Sequence, residues 1–265
     1  MSSALDQILL IPGIGRRSFN PASLFANNEV GGWYDPSDLS TMFQDVAGTN
    51  PVTASGQTVG LHLDKSGNGN HRYQASADSR PQYVEDGALR YLLYDGVDDF
   101  METNAVDFTG TDKMTVVAGL RKLTAIGTAS AVIGFGSNPL NDEGSFEIQA
   151  PGSVSEYQNS SFGTIRRITT TVSFPAPDSA VISLLGDISG PLIALRRNGS
   201  QLSASTGTQG TGNYGSHKLF FGRRAGTSVP ANIREHQVII RGAATDLATI
   251  EKAELFVRGK VGITW

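Results

Sequence analysis

Cysteine is absent from the 265 residues, which excludes disulfide staples, thiolate nucleophiles and cysteine-based zinc or iron–sulfur centres. Charge is sparse: Asp, Glu, Lys and Arg make up 17%, with 21 basic and 25 acidic residues and a formal net charge of −4. No basic stripe emerges, so no nucleic-acid partner is expected. The four histidines (His62, His71, His217, His236) are scattered, and neither an H-E-x-x-H nor a G-x-S-x-G motif is present. Long apolar runs are also missing. The most apolar stretch near the N-terminus is Ile8-Leu9-Leu10-Ile11, far short of the ~20 residues that span a bilayer. Asp6 precedes it and Arg16-Arg17 follow it, the reverse of secretory-signal charge order. The expectation is therefore neither membrane insertion nor export.

Proline is scarce at 11 residues while glycine is abundant at 31, above the average of roughly 7%. Glycine without a period points to many tight turns between short strands. β-rich runs alternate with turn clusters from Trp33 onward. They predict strands over Leu89–Tyr94, Met114–Lys122, Ala131–Gly136, Ser145–Ala150, Arg167–Ser173, Ala180–Gly186, Leu192–Arg197, Lys218–Gly222 and Glu235–Arg241. Asn198-Gly199 is a hairpin signal, because a type I′ turn needs positive φ at both central residues. In Thr245–Lys260 the apolar residues recur at three- and four-residue steps, which predicts one amphipathic helix with Thr245 as N-cap, Ile250, Phe256 and Val257 buried, and Gly259 or Gly262 as its stop. Length permits a single large all-β domain, and no internal repeat is present.

Two segments carry a resemblance. Leu63 to His71 reads L-D-K-S-G-N-G-N-H, and Leu93 to Met101 reads L-Y-D-G-V-D-D-F-M. Together they resemble the concanavalin A-like/laminin-G-like (LamG) domains of bacteria and phages. The K-L-F-F-G-R-R run of Lys218–Arg224 and the elements after it resemble that family's closing strands. This implies an all-β concanavalin A-like β-sandwich (jelly roll) over residues 29–265, with one C-terminal amphipathic helix. The stretch Glu29–Thr49 is similar to chains of bacteriophage and prophage structural gene clusters. It implies a non-catalytic virion structural protein (tail fibre, tail tip or capsid-surface component, as in capsid decoration) acting as an interaction module. Such a protein is made in the host cytoplasm without a signal peptide. The alternative is a carbohydrate-binding adhesin or receptor-binding protein that recognises a host surface glycan. Other virion subunits and a homo-oligomer are the expected partners.

Residues 1–28 read as an extended N-terminal arm. Proline and glycine break it, yet it carries Leu9, Leu10, Ile11, Phe19 and Phe25, and apolar clusters are costly to leave in water. Docking on a neighbouring subunit is the expected role, and an unordered terminus is the plainer reading. Glycanases of the resembled fold place paired carboxylates at alternating positions on one strand. Asp142, Glu143 and Glu147 lack that spacing, so no catalytic residue is assigned. Asp64, Asn68, Asp95, Asp98 and Asp99 supply hard oxygens suited to Ca²⁺. Asx-rich turns usually satisfy their own backbone instead, so no cofactor is expected and Ca²⁺ is the alternative. For glycan stacking, Tyr157, Tyr214 and Asn213 sit in polar stretches, whereas Trp33, Phe146, Phe220 and Phe221 read as core. Arg196-Arg197 and Arg223-Arg224 read as strand ends with one side chain each in solvent, or as inter-subunit ion pairs.

Overall fold

The structure is a computed structural model and describes residues 19–124, 129–139, 141–151, 156–165 and 167–265. Its strands are β1 (Gly31–Tyr34), β2 (Met42–Phe43), β3 (Leu61–His62), β4 (Arg72–Tyr73), β5 (Gln82–Asp86), β6 (Leu89–Asp95), β7 (Met101–Asp107), β8 (Lys113–Lys122) and β9 (Ala131–Phe135). The rest are β10 (Ser145–Gln149), β11 (Glu156–Phe162), β12 (Arg167–Ser173), β13 (Asp178–Asp187), β14 (Leu192–Arg197), β15 (Ser200–Ser205), β16 (Ser216–Phe221) and β17 (Asn232–Arg241). One helix follows, α1 (Leu247–Val261).

Antiparallel pairing builds two sheets. The first runs β15-β14-β13-β8-β17-β6-β5, and β1 also pairs with β17. β17 reaches three partners because its first half (Asn232–Glu235) pairs with β6, its second (Val238–Arg241) with β1, and its other edge with β8. The second sheet runs β12-β11-β10-β9-β16-β7-β4-β3-β2. Period-two alternation decides what each strand buries. In β8, Met114, Val116, Ala118 and Leu120 enter the core between the sheets, while Val117 belongs to a second apolar cluster on the outer face. The fold is thus the all-β sandwich that the sequence implies, with a helix on one outer face.

Helix α1 covers that face with Ile250, Ala253, Val257 and Val261 buried. It lies directly on β8 backbone, because a Cβ at Gly119 would sit 2.5 Å from Val257 Cγ1 and 2.7 Å from Val261 Cγ2. Asp246 is the N-cap, its Oδ1 accepting from Thr249 N at 3.0 Å; the predicted cap, Thr245, instead accepts from Arg241. Gly262 ends the helix at φ 72°, and Phe256 is only partly buried. No described helix is long and apolar enough to cross a membrane.

Phe19 and Phe25 correct part of the predicted arm. A short 3₁₀ turn over Pro21–Phe25 buries Leu24 and Phe25 in the cluster beneath α1, and Phe19 packs edge-on against Phe256 at 6.0 Å. These rings are spent on their own domain, so they are not free to dock on a neighbour. Leu9, Leu10 and Ile11 lie outside the described residues.

Between the sheets sits a charged pair. Arg72 on β4 donates to both carboxylate oxygens of Glu235 on β17 at 2.6 and 3.1 Å, and both side chains are fully buried. Its guanidinium lies 4.6 Å from the ring centroids of Tyr34 and Phe221 and contacts His62 Nδ1 at 3.1 Å. Burial and the Arg72 charge push His62 well below the usual imidazole range, so it stays neutral and accepts from Arg72. The pair fixes how the two sheets face each other, and a single-sided deletion in such a pair costs about 3–5 kcal/mol.

Candidate functional site: an acidic cleft at the edge of the first sheet

The Asx-rich segments divide into two arrangements. In the first, every lone pair of Asp64 is directed at backbone or hydroxyl. Oδ1 accepts from Trp33 N (2.9 Å) and Ser66 N (2.8 Å), while Oδ2 accepts from Ser66 Oγ (2.7 Å) and Asn70 N (3.0 Å). Asn70 Nδ2 donates to Gly31 O at 2.7 Å and Asn68 Nδ2 to Glu29 O at 3.0 Å. This loop is a latch that holds β1 in place. Asp64 and Asn68 are therefore not joined to the other three residues expected to offer metal ligands.

The second arrangement is the turn between β6 and β7. Gly96 at φ 79° gives the chain its reversal, a conformation open to glycine at little cost. Asp95 Oδ1 accepts from Val97 N (2.7 Å) and Asp98 N (3.3 Å), Asp99 Oδ2 from Asp95 N (3.0 Å), and Asp98 Oδ2 from Ser79 Oγ (2.8 Å). Each carboxylate keeps one oxygen without a hydrogen bond among the described residues. Ligand oxygens of all three lie within 4.8 Å of one another. Burial pushes the Asp99 carboxyl up to about 6, with the Asp95 and Asp98 charges acting in the same direction. The oxygen set suits a hard cation or a row of hydroxyl donors.

An open cleft of about 230 Å³ adjoins this turn, lined by residues that include Thr58, Asp78, Arg80, Gln82, Leu93, Asp95 and Asp99. It lies on β5, the edge strand, where Gln82 pairs with Leu93. Arg80 is immobilised by three backbone carbonyls: Gln74 O at 2.9 Å, Gln44 O at 2.8 Å and Ala75 O at 3.0 Å. The cleft thus offers fixed acceptors, an amide and a hydroxyl on a rigid rim, with an excess of negative charge.

The residues expected to stack on a glycan are placed elsewhere. Tyr157 is wholly buried on β11, its hydroxyl donating to Asp178 Oδ2 at 2.8 Å. Tyr214 is buried against Phe146, its hydroxyl 3.1 Å from Ser161 Oγ. Neither ring presents a face to solvent, because the hydroxyl finds a partner far away in sequence, 21 residues for Tyr157 and 53 for Tyr214, while the ring fills the core. Asn213 is exposed, and its amide donates to Thr109 O. Trp33, Phe146, Phe220 and Phe221 are buried as expected. The arginine pairs find partners within the chain: Arg196 with Glu254, Arg197 with Asp178, and Arg224 with Glu147. Glu147, the nearest approach to a glycanase carboxylate, is fully buried and clamped by Arg224 at 2.8 Å through both oxygens.

No family model matches this sequence, and no curated protein does. Similarity appears among solved structures. The binding domain of botulinum neurotoxin DC in complex with SialylT aligns at a TM-score of 0.56 and 11% identity, covering 76% of this chain and 49% of that one. The binding domain of Paraclostridial Mosquitocidal Protein 1 aligns at 0.57 and 12%, covering 75% and 49%. Trypanosoma rangeli sialidase in complex with the inhibitor DANA aligns at 0.54 and 13%, covering 83% and 36%. The chain spans about half the length of the two binding-domain chains and about a third of the sialidase. At such identities the likeness is one of fold: a β-sandwich shared with binding domains and with a chain that carries an enzyme.

Proposed function

We propose that this protein is a non-catalytic carbohydrate-binding domain that recognises a surface glycan at the cleft beside Asp95, Asp98 and Asp99. The observation that carries the reading is the convergence of half-satisfied Asp95 and Asp99 on an open, rigid cleft, with Asp98 beside them in the same turn. Vicinal sugar hydroxyls donate readily to fixed carboxylate oxygens, and an amide such as Gln82 both donates and accepts. The fold supports it, since one similar domain was solved with SialylT and another similar chain is a sialidase. Charge selects among glycans. Asp78, Asp95 and Asp99 line the cleft against Arg80 alone, and that guanidinium is committed to backbone carbonyls, so a neutral glycan is favoured over a sialylated one.

A glycan array probed with the wild-type chain and with Asp95→Ala tests this. Binding to neutral glycans that falls about tenfold in the variant supports the reading. An empty array, or a pattern unchanged by the substitution, overturns it. The Glu29–Thr49 resemblance to phage structural chains favours carrying this module on a virion, where a receptor-binding part would be both virion component and glycan binder. Mass spectrometry of purified particles tests that placement, and absence of the chain from them overturns it.

A further inference from the structure

At the opposite edge of the first sheet, β14 and β15 turn through Asn198 (φ 51°) and Gly199 (φ 82°). Against this turn lies a groove of about 170 Å³ lined by Gly199, Glu251, Glu254, Leu255 and Trp265. Two of these are large apolar side chains held in water, Leu255 at 46% exposure and Trp265 at 42%. Exposed apolar surface of this kind costs free energy on the order of 25 cal/mol per Å², and a partner that covers it recovers that cost.

The groove is rigid. Glu254 forms its floor, nearly inaccessible, with Oε1 accepting from Arg196 Nε (2.8 Å) and Ser183 Oγ (2.8 Å) and Oε2 from Arg196 Nη2 (2.9 Å). The same guanidinium donates to Gly199 O at 2.8 Å and so fixes the turn. The indole stands against the bare Gly199: a Cβ there would lie 2.6 Å from Trp265 Nε1. Arg258 lies over one face of the ring, 5.2 Å from its centroid, which leaves the opposite face as the one on which a ligand would stack.

Size and charge identify the occupant. A protein interface needs on the order of 1,000 Å² of contact, far more than this groove offers, whereas a single ring fits. Glu254 is paired with Arg196, and the remaining charges, Glu251 in the lining and Arg258 over the ring, are of opposite sign, so neither an anion nor a cation is favoured. We infer that this groove is a second saccharide site, in which the apolar face of a neutral pyranose stacks on Trp265 and a ring hydroxyl donates to Glu251. The inference rests on the carbohydrate-binding reading but places a different site, one built on an aromatic face.

The chain contains two tryptophans, Trp33 buried and Trp265 exposed, so an indole N–H spectrum reports the groove against an internal control. Neutral oligosaccharides that score on the array, with sialyllactose as the anionic comparison, are titrated into the full chain. The expected result is a saturable shift of the Trp265 signal alone, with neutral sugars only. Trp265→Ala and Leu255→Ser, both at exposed positions, should each weaken binding at least about tenfold while thermal unfolding stays cooperative. If array binding is real yet the Trp265 signal stays still and both variants bind normally, the groove is not a site while the first reading stands. A shift with sialyllactose alone overturns the neutral class. An empty array overturns both readings.

Discussion

The Asp64–Asn70 loop and the Asp95–Asp99 turn are made of the same residues, small, acidic and glycine-punctuated, and the fold uses them oppositely. Asp64 accepts four hydrogen bonds and is almost wholly buried; its carboxylate has nothing left to offer. Among the described residues Asp95, Asp98 and Asp99 each leave one oxygen uncommitted, and their ligand oxygens lie close together. An Asx-rich turn is therefore structural or ligand-ready according to how many of its lone pairs the backbone consumes, which composition does not reveal.

Three substitutions and one ion test sharpen that contrast. The largest effect is expected for Asp64→Ala, which orphans three backbone N–H groups, those of Trp33, Ser66 and Asn70, and frees β1. Charged hydrogen bonds of this kind are worth about 1.5–3 kcal/mol, so a loss of about 3 kcal/mol in urea unfolding is expected, and a loss below about 1 kcal/mol would make the latch dispensable. Next comes Asp99→Asn. The folded pKa of about 6 lies above the ordinary 3.8, so the folded state holds the proton more tightly. The stability this group contributes is complete below about pH 3.8 and is lost as pH rises through about 6. The asparagine should therefore stabilise the protein by about 1–2 kcal/mol near pH 7.5 and hardly at all near pH 4. Equal effects at both pH values would contradict a raised carboxyl. Asp95→Ala, at an exposed position, should change stability by less than about 1 kcal/mol while weakening glycan binding. Smallest of all, millimolar Ca²⁺ against EDTA should move the melting temperature by less than about 1 °C. A clear rise with Ca²⁺ that Asp98→Asn abolishes would instead make the turn a cation site.

Legibility followed side-chain chemistry. β12 and β14 carry the predicted boundaries, and the Asn198-Gly199 hairpin forms as read, because β-branched runs and a positive-φ turn are local properties. β11 is not legible along the chain, because Glu156–Phe162 reads as a polar loop. Its Asn159 amide points across the sandwich and donates to Ser183 O (3.0 Å) and Ala194 O (3.2 Å) on the facing sheet. Such an acceptor exists only after the sheets pack. Tyr157 and Tyr214 are illegible for the same reason, since their hydroxyls find partners that the surrounding sequence does not announce. Nothing local marks Trp265; the groove requires a helix, a distant hairpin and a buried ion pair brought together.

By itself the sequence determined the all-β class, most strand positions, the single C-terminal helix and the absence of thiol chemistry. These depend on period, turn residues and composition, which are written along the chain. Only the tertiary structure decided that Arg72 would be buried against Glu235, that one acidic turn would be consumed and the other left open, and that the exposed indole would be Trp265. Those outcomes depend on which groups meet across 163 residues of separation, as in Arg72 and Glu235, and on whether a hydrogen-bond partner waits there.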